Sequence, residues 1–242
     1  FLLIYHTKDK GNGMILLAPI ILIYCCILIY IIGFNKKAQK RSLSRARNNS
    51  YPSVCILIAA RNEEDNLSLL IDCLEQQSYP ADELEVMIVN DHSTDQTEEV
   101  LQNLLKKLQF KTLLLNLPKD LNGKKQAITH GVKHTKAKYI LSTDADCEFA
   151  PNWVTSMVTE IESRNDSLVA GPVFFHDTPS LGDAIQSIEF APLMGITGYT
   201  FEKEKPVMCN GANLIYNRAE FIRVGGYAGN ENIASGDDVF LL

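Results

Sequence analysis

An α/β protein with a doubly wound, mostly parallel sheet is the fold class that this sequence predicts. Three observations lead there. Short apolar runs rich in β-branched residues recur between residues 53 and 174, each too short for a helix of ordinary length. Segments with apolar residues at i, i+3, i+4 and i+7 lie between them. The two periods alternate along the chain, which describes strand–helix–strand units with parallel strands covered on both faces.

Ser53 to Ala60 (SVCILIAA) reads as the first buried strand. Asn62 is placed to cap a helix whose first turn is Glu63-Glu64-Asp65, with Leu67, Leu70, Ile71 and Leu74 as its apolar stripe. Leu84 to Val89 is the second strand. Ser93 and Gln96 have capping-box spacing before the stripe of Leu101, Leu104, Leu105 and Leu108. Lys111 to Leu115 reads as a strand, Lys124 to His134 as a helix and Tyr139 to Thr143 as a strand. Trp153 to Ile161, opened by Pro151, follows as a helix, and Ser167 to Phe174 as a strand. Residues 180–200 carry Pro192, Gly195 and Gly198. They read as an irregular segment covering the core, in preference to an amphipathic piece lying on a membrane. Asn210-Gly211 signals a tight turn, and Gly225-Gly226 a helix stop.

Ahead of this body stands a different kind of sequence. Met14 to Phe34 contains no charged residue. As a helix those residues span about 31 Å, close to the hydrocarbon thickness of a bilayer. The run is long for a cleaved signal, and no small-residue cleavage site follows it. Lys36, Lys37, Lys40, Arg41, Arg45 and Arg47 come next, and by the positive-inside rule they put everything after residue 48 in the cytoplasm. The expected organisation is an extension (1–13), a single transmembrane helix (14–34) in the plasma (inner) membrane, a basic linker (35–50) that contacts lipid headgroups, and an α/β domain (51–242). The chain begins with Phe1, so Met14 is a second possible start.

Residues 49–242 carry 15 basic and 28 acidic groups, an excess of acid that argues against a nucleic-acid partner. The six cysteines form no C-x-x-C pair and no zinc spacing, which suits inert thiols in a reducing compartment.

In a doubly wound sheet, ligands bind beyond the carboxyl ends of the strands. That rule singles out Arg61 and Glu63 after the first strand, Asp91 after the second, and Asp144 with Asp146 after the fourth. Two carboxylates one residue apart repel in a low dielectric, and a hard divalent cation with oxygen ligands offsets that repulsion; an ordinary acidic turn is the plainer reading. Asp91 is either a hydrogen-bond acceptor for a base or ribose, or the centre of an Asx turn. Gly123-Lys124-Lys125 opens a helix, where backbone N–H groups and a lysine suit phosphate, although the spacing is not that of a Walker loop. Asp237-Asp238 precedes an apolar run, Val239 to Leu242, that reads as a helix start; a carboxylate there serves as a general base or as an N-cap.

The order A-A-R-N-E-E, N-D-x-S-x-D, G-K-K-Q-A, T-D-A-D, C-N-G-A-N and G-D-D over residues 52–242 resembles the family-2 inverting glycosyltransferases of GT-A fold, in particular the membrane-anchored bacterial kind. The resemblance implies a GT-A-type sheet. It makes Ala60, Arg61 and Glu63 the first nucleotide-contacting segment, Asp91 the partner of the base and Lys124 a nucleotide-side lysine. Asp146 becomes the ligand of Mn²⁺ or Mg²⁺, with Asp144 nearer the ribose. Asn210 and Gly211 fall beside the donor sugar. Asp237 stands where glutamate is common, next to Asp238 as catalytic base. The implied donor is a nucleotide sugar, UDP-linked in preference, and the implied acceptor a hydroxyl on a lipid-linked or envelope polysaccharide. Many processive members carry a Q-x-x-R-W motif further on; none occurs before Leu242, so a longer protein is expected. Two rivals are a haloacid-dehalogenase-type phosphatase, which shares D-x-D and G-D-D elements, and a membrane-tethered nucleotide-sugar-binding scaffold without activity.

Overall fold

The computed structural model describes residues 51–175, 180–230, 233, 236 and 238–242. The transmembrane, basic-linker and extension segments expected from the sequence, and Asp237, lie outside the described residues. Among the described residues no helix is long and apolar enough to cross a membrane.

Strands and helices alternate in the order β1 (Val54–Ala60), α1 (Leu67–Glu75), β2 (Leu84–Asn90), α2 (Thr97–Leu104), β3 (Lys111–Asn116), α3 (Lys124–His134), β4 (Tyr139–Asp144), α4 (Trp153–Arg164), β5 (Leu168–Ala170), α5 (Leu181–Glu202), β6 (Leu214–Asn217) and α6 (Arg218–Arg223). The strands form one sheet in the order β3-β2-β1-β4-β6-β5. β1 to β4 pair in parallel, while β6 runs antiparallel to both β4 and β5. The chain leaves β1 towards β2 and β3, then crosses back to lay β4 on the other side of β1. That reversal opens a crevice between the carboxyl ends of β1 and β4, where Ala59 lies in register with Asp144.

The period of two in β1 divides the core. Val54, Ile56, Ile58 and Ala60 face one layer, against Leu67, Leu70, Ile71 and Leu74 of α1 and Val154 and Ile161 of α4. Cys55 and Leu57 face the other, against Ala127, Ile128 and Val132 of α3 and Phe221 of α6. Gly131 lets α3 approach this closely, since a Cβ there would collide with the side chain of Leu57.

Several local expectations are corrected. Asn62 does not cap a helix. It takes a left-handed conformation (φ 57°), and α1 begins only at Leu67. The amides of Glu63 and Glu64 are satisfied by Thr97 Oγ1 and Asp95 Oδ2 instead of entering a helical turn. The Ser93–Gln96 capping box is not formed, because Ser93 Oγ accepts from the Asn62 amide. The stripe through Leu108 outruns α2, which tightens into a 3-10 turn at Leu105–Lys107. The strand expected from Ser167 to Phe174 shrinks to Leu168–Ala170: Gly171 N–H bonds the Asn213 carbonyl, and Pro172 then has no N–H to give the ladder. Residues 180–200 are not irregular but form α5, capped by Ser180 Oγ on the Gly182 amide and continuous through Pro192. Asn210-Gly211 makes no hairpin; Asn210 Oδ1 caps a 3-10 turn at Gly211–Asn213 that leads into β6. The C-terminal apolar run forms one 3-10 turn, Val239–Leu241. The glycine stop after α6 stands as expected, with Gly225 and Gly226 both at positive φ.

Candidate active site

The carboxyl ends of β1, β2 and β4 carry the candidate residues to one rim. Asp91 follows β2 directly, and its amide donates to the Ala60 carbonyl at 2.8 Å, which locks the two strand ends together. Its side chain is only 6% exposed. Oδ2 accepts from the Gly123 amide at 2.9 Å and lies 3.8 Å from Arg61 Nη1. Oδ1 is buried and accepts no hydrogen bond, although buried carboxylate oxygens are normally satisfied. The Arg61 side chain is 58% exposed and extends from the rim.

The loop after β1 and the loop after β2 are laced together. Thr94 N donates to Asn62 Oδ1, Gln96 N to Glu64 Oε2, and Glu63 N to Thr97 Oγ1. The carboxylate of Glu63 is turned to Asn66 Nδ2 at 2.8 Å, so here it organises the entry to α1. His92, also at left-handed φ, places Nε2 2.8 Å from the Leu121 carbonyl and so closes the second loop onto the segment before α3.

Gly123 connects these loops to β4. Its amide holds Asp91, and the next residue, Lys124, extends Nζ to within 2.6 Å of Asp144 Oδ1. The lysine therefore offsets the charge of Asp144, the first carboxylate of the D-x-D pair. Asp146 lies beyond in the turn, exposed, and lines a cleft of about 650 Å³. Cys147 lines the same cleft. Burial pushes its thiol above the ordinary range. Gly211 packs beside β4, where Ser142 Oγ donates to its carbonyl. The Asn210 side chain is engaged as a cap on Ala212.

Asp238 sits in the C-terminal segment, with Oδ1 accepting from the Val239 amide at 2.7 Å. That segment is fastened to α3 by Lys125, a residue that sequence reasoning did not single out. Lys125 is 4% exposed; Nζ donates to the carbonyls of Asn230 (3.3 Å) and Ile233 (2.9 Å) and lies 4.2 Å from the centroid of the Phe240 ring. The signal was present, since Lys125, Ile128 and Val132 share the inward stripe of α3.

Comparison with known proteins bears directly on this arrangement. The glycosyl transferase family 2 description matches residues 55–225, most of the chain. The chain belongs to glycosyl transferase family 2. It is 27% identical over 170 residues to a poly-β-1,6-N-acetyl-D-glucosamine synthase of Staphylococcus epidermidis, covering 69% of this chain and 40% of that protein. It is 31% identical over 121 residues to a β-monoglucosyldiacylglycerol synthase of a Nostoc species, covering 50% of this chain and 26% of that protein. The chain thus spans less than half the length of these curated relatives. Among solved structures, the fold is shared with a Pyrobaculum calidifontis mannosyltransferase in complex with GDP-mannose and Mn²⁺ (TM-score 0.58, 20% identity, 85% of this chain and 57% of that one). It is shared also with Staphylococcus aureus TarS in complex with UDP-GlcNAc (TM-score 0.53, 17% identity, 77% of this chain and 53% of that one). At these identities the likeness is one of fold.

Within this family 2 domain, the oxygen chemistry of the D-x-D turn fits a hard cation. Among the described residues no cluster of three metal-ligating side chains occurs. Mg²⁺ and similar ions are commonly held by one or two carboxylates together with substrate phosphates, and the exposed Asp146 beside the cleft meets that requirement. The family 2 match over residues 55–225 sets aside the haloacid-dehalogenase-type phosphatase.

Proposed function

We propose that this chain carries the catalytic domain of an inverting glycosyltransferase, which moves a sugar from a nucleotide-sugar donor to a hydroxyl acceptor at the cytoplasmic face of a membrane. The observation that carries the reading is the connected path Asp91–Gly123–Lys124–Asp144 at the β1/β4 crevice of a family 2 domain. Oδ1 of Asp91 is the acceptor for an N–H of the nucleobase, which suits a uridine nucleotide. Ala60, Arg61 and Glu63 border that pocket. Lys124 serves the diphosphate and Asp144 the ribose. A divalent cation, Mn²⁺ or Mg²⁺, would be held by Asp146 together with the donor's phosphates and would neutralise charge on the leaving group. Asn210, Gly211 and Asp237 belong to the donor-sugar side.

The chemistry is one displacement. Asp238 takes the proton of the acceptor hydroxyl on Oδ2. The oxygen attacks the anomeric carbon from the face opposite the nucleotide. The bond from that carbon to the diphosphate oxygen breaks, and nucleoside diphosphate leaves with inversion. Lys124 offsets part of the charge that develops on the departing diphosphate. The apolar and basic segments at 14–47 support a membrane-bound enzyme with a lipid-linked or envelope acceptor.

The test is Asp238→Asn. Loss of a general base typically removes about 10²- to 10⁴-fold of the rate. Transfer from a UDP-sugar should fall in that range while UDP affinity, measured by calorimetry with Mn²⁺, is retained. Turnover at the wild-type rate would exclude Asp238 as the base. Donor binding without turnover in the unaltered protein would favour the scaffold reading.

A further inference from the structure

The side of α3 turned away from the core carries two histidines. Ile128 and Val132 pack into the sheet, and His130 and His134 stand on the opposite side of the same turns. Four residues apart, their side chains are neighbours on the helix surface. The rings meet, with centroids 4.4 Å apart and planes inclined at 44°. His130 is half-buried and His134 exposed, so solvent reaches the pair.

One of the two rings is already oriented. His134 Nδ1 lies 2.8 Å from the His130 carbonyl. A carbonyl oxygen only accepts, so Nδ1 carries the proton. In the neutral imidazole the lone pair is then on Nε2, the nitrogen on the far side of the ring. Histidines that ligate metals are commonly fixed in this way, by a hydrogen bond from the other ring nitrogen to a carbonyl. Two imidazoles at i and i+4 of a helix can reach one ion, and a pair held in place before the ion arrives loses little freedom on binding it.

We propose that His130 and His134 form a binding site for one divalent transition-metal ion, each imidazole giving one nitrogen and water completing the coordination. Imidazole suits Ni²⁺, Cu²⁺ and Zn²⁺, whereas carboxylate and water suit Mg²⁺ and Mn²⁺. The site thus differs in chemistry from the D-x-D turn. It differs also in place, since His134 ends α3 about 15 Å along the helix axis from Lys124. Nothing in it depends on the glycosyl-transfer reading. An ion bound there closes a chelate across the last turn of the helix whose first two residues hold Asp144 and the C-terminal segment.

Ni²⁺ is the probe, and the full chain is first stripped of metal with a chelator. Calorimetry should show a Ni²⁺ site whose affinity falls about 10-fold or more in His134→Gln, an exposed substitution that leaves the core intact. His130→Gln should cost as much, and the double variant no more than either, because one imidazole cannot make the chelate alone. Ni²⁺ should raise the melting temperature of the parent and leave that of His134→Gln where it was. Mn²⁺, lowest in the order of affinity, should bind these residues far more weakly. Ni²⁺ affinity unchanged in both single variants would overturn the site. Losses that add in the double variant would overturn it too, since they describe two separate ligands instead of one chelate. Mn²⁺ bound as tightly as Ni²⁺ would overturn the assignment to imidazole.

Discussion

Lys124 Nζ lies 2.6 Å from Asp144 Oδ1 and so joins the first residue of α3 to the last residue of β4. Both side chains are about one-third exposed, and a pair of that kind contributes at most about 1 kcal/mol to stability. Its importance lies in charge placement. The lysine keeps two carboxylates of the D-x-D turn from acting as an unshielded pair before any ligand arrives. Lys124→Met should therefore leave the melting temperature close to that of the parent. UDP affinity should fall about 10-fold, the loss of one charge-assisted phosphate contact. Lys124→Arg should recover most of it. Calorimetry on the three proteins is the measurement, and equal affinities would remove Lys124 from the nucleotide site.

Asp91 makes a sharper prediction, because its two oxygens have different circumstances. Oδ2 is held by the Gly123 amide, whereas Oδ1 is buried and accepts no hydrogen bond, with His92 Nε2 3.9 Å away. In Asp91→Asn the amide oxygen can keep the Gly123 hydrogen bond while the NH₂ group takes the other position. A donor then faces the place where an acceptor is required. UDP affinity should drop by about 1.5–3 kcal/mol, or roughly 10- to 150-fold, with thermal stability nearly unchanged. Asp91→Ala should lose both, since the Gly123 amide is then left unpaired near the start of α3. Retained affinity in Asp91→Asn would show that Oδ1 faces no nucleobase.

The parts of this fold that were legible in the sequence are those governed by local period. Residues 54–60 alternate between two apolar layers, and nothing in their composition competes with a buried strand. The carboxyl-end rule then located Asp91 and Asp144 without any knowledge of their partners. What escaped was decided by contacts distant in sequence. Asn62 has good capping chemistry, yet Ser93 and Thr94, more than thirty residues on, draw it into a left-handed turn. Beyond Gly171 the partner strand has given way to the 3-10 turn at Gly211–Asn213, which ends β5 where the apolar pattern runs on. Pro192 argued against a helix, but its cost of about 3 kcal/mol is one local term against the rest of a 22-residue helix. The burial of Lys125 was readable from its place on the α3 stripe, though the carbonyls that accept from it lie more than a hundred residues away.

The approach of α3 to the sheet gives a test of packing that is independent of function. A Cβ at Gly131 would press on Leu57, which is fully buried and has no room to withdraw. Gly131→Ala gains about 1 kcal/mol of helix propensity, but overpacking a full core typically costs about 1–3 kcal/mol. The net effect should be destabilising, read as a lower midpoint in urea unfolding with an unchanged slope. A more stable variant would mean that α3 shifts away from β1 at little cost.

Lys125 tests whether the segment bearing Asp238 is held in place from the nucleotide side. Its ammonium donates to the carbonyls of Asn230 and Ile233 and lies under the Phe240 ring, so three points of the C-terminal segment converge on one buried charge. Lys125→Met preserves the length and apolar character of the stem and deletes the donors. The two carbonyls then lose a partner, at a cost of about 1–3 kcal/mol each where they stay buried, and the segment loosens from α3 to regain water. With Asp238 as the base, the loss should fall on kcat, because proton removal depends on where the carboxylate sits. UDP affinity should change little, because Lys124 and Asp91 are untouched. Hydrogen exchange over residues 227–242 should quicken in the same variant. A fall in UDP affinity with kcat preserved would assign Lys125 to nucleotide binding. Unchanged exchange and unchanged kcat would show that the contacts of Asp238 suffice to hold it without the lysine.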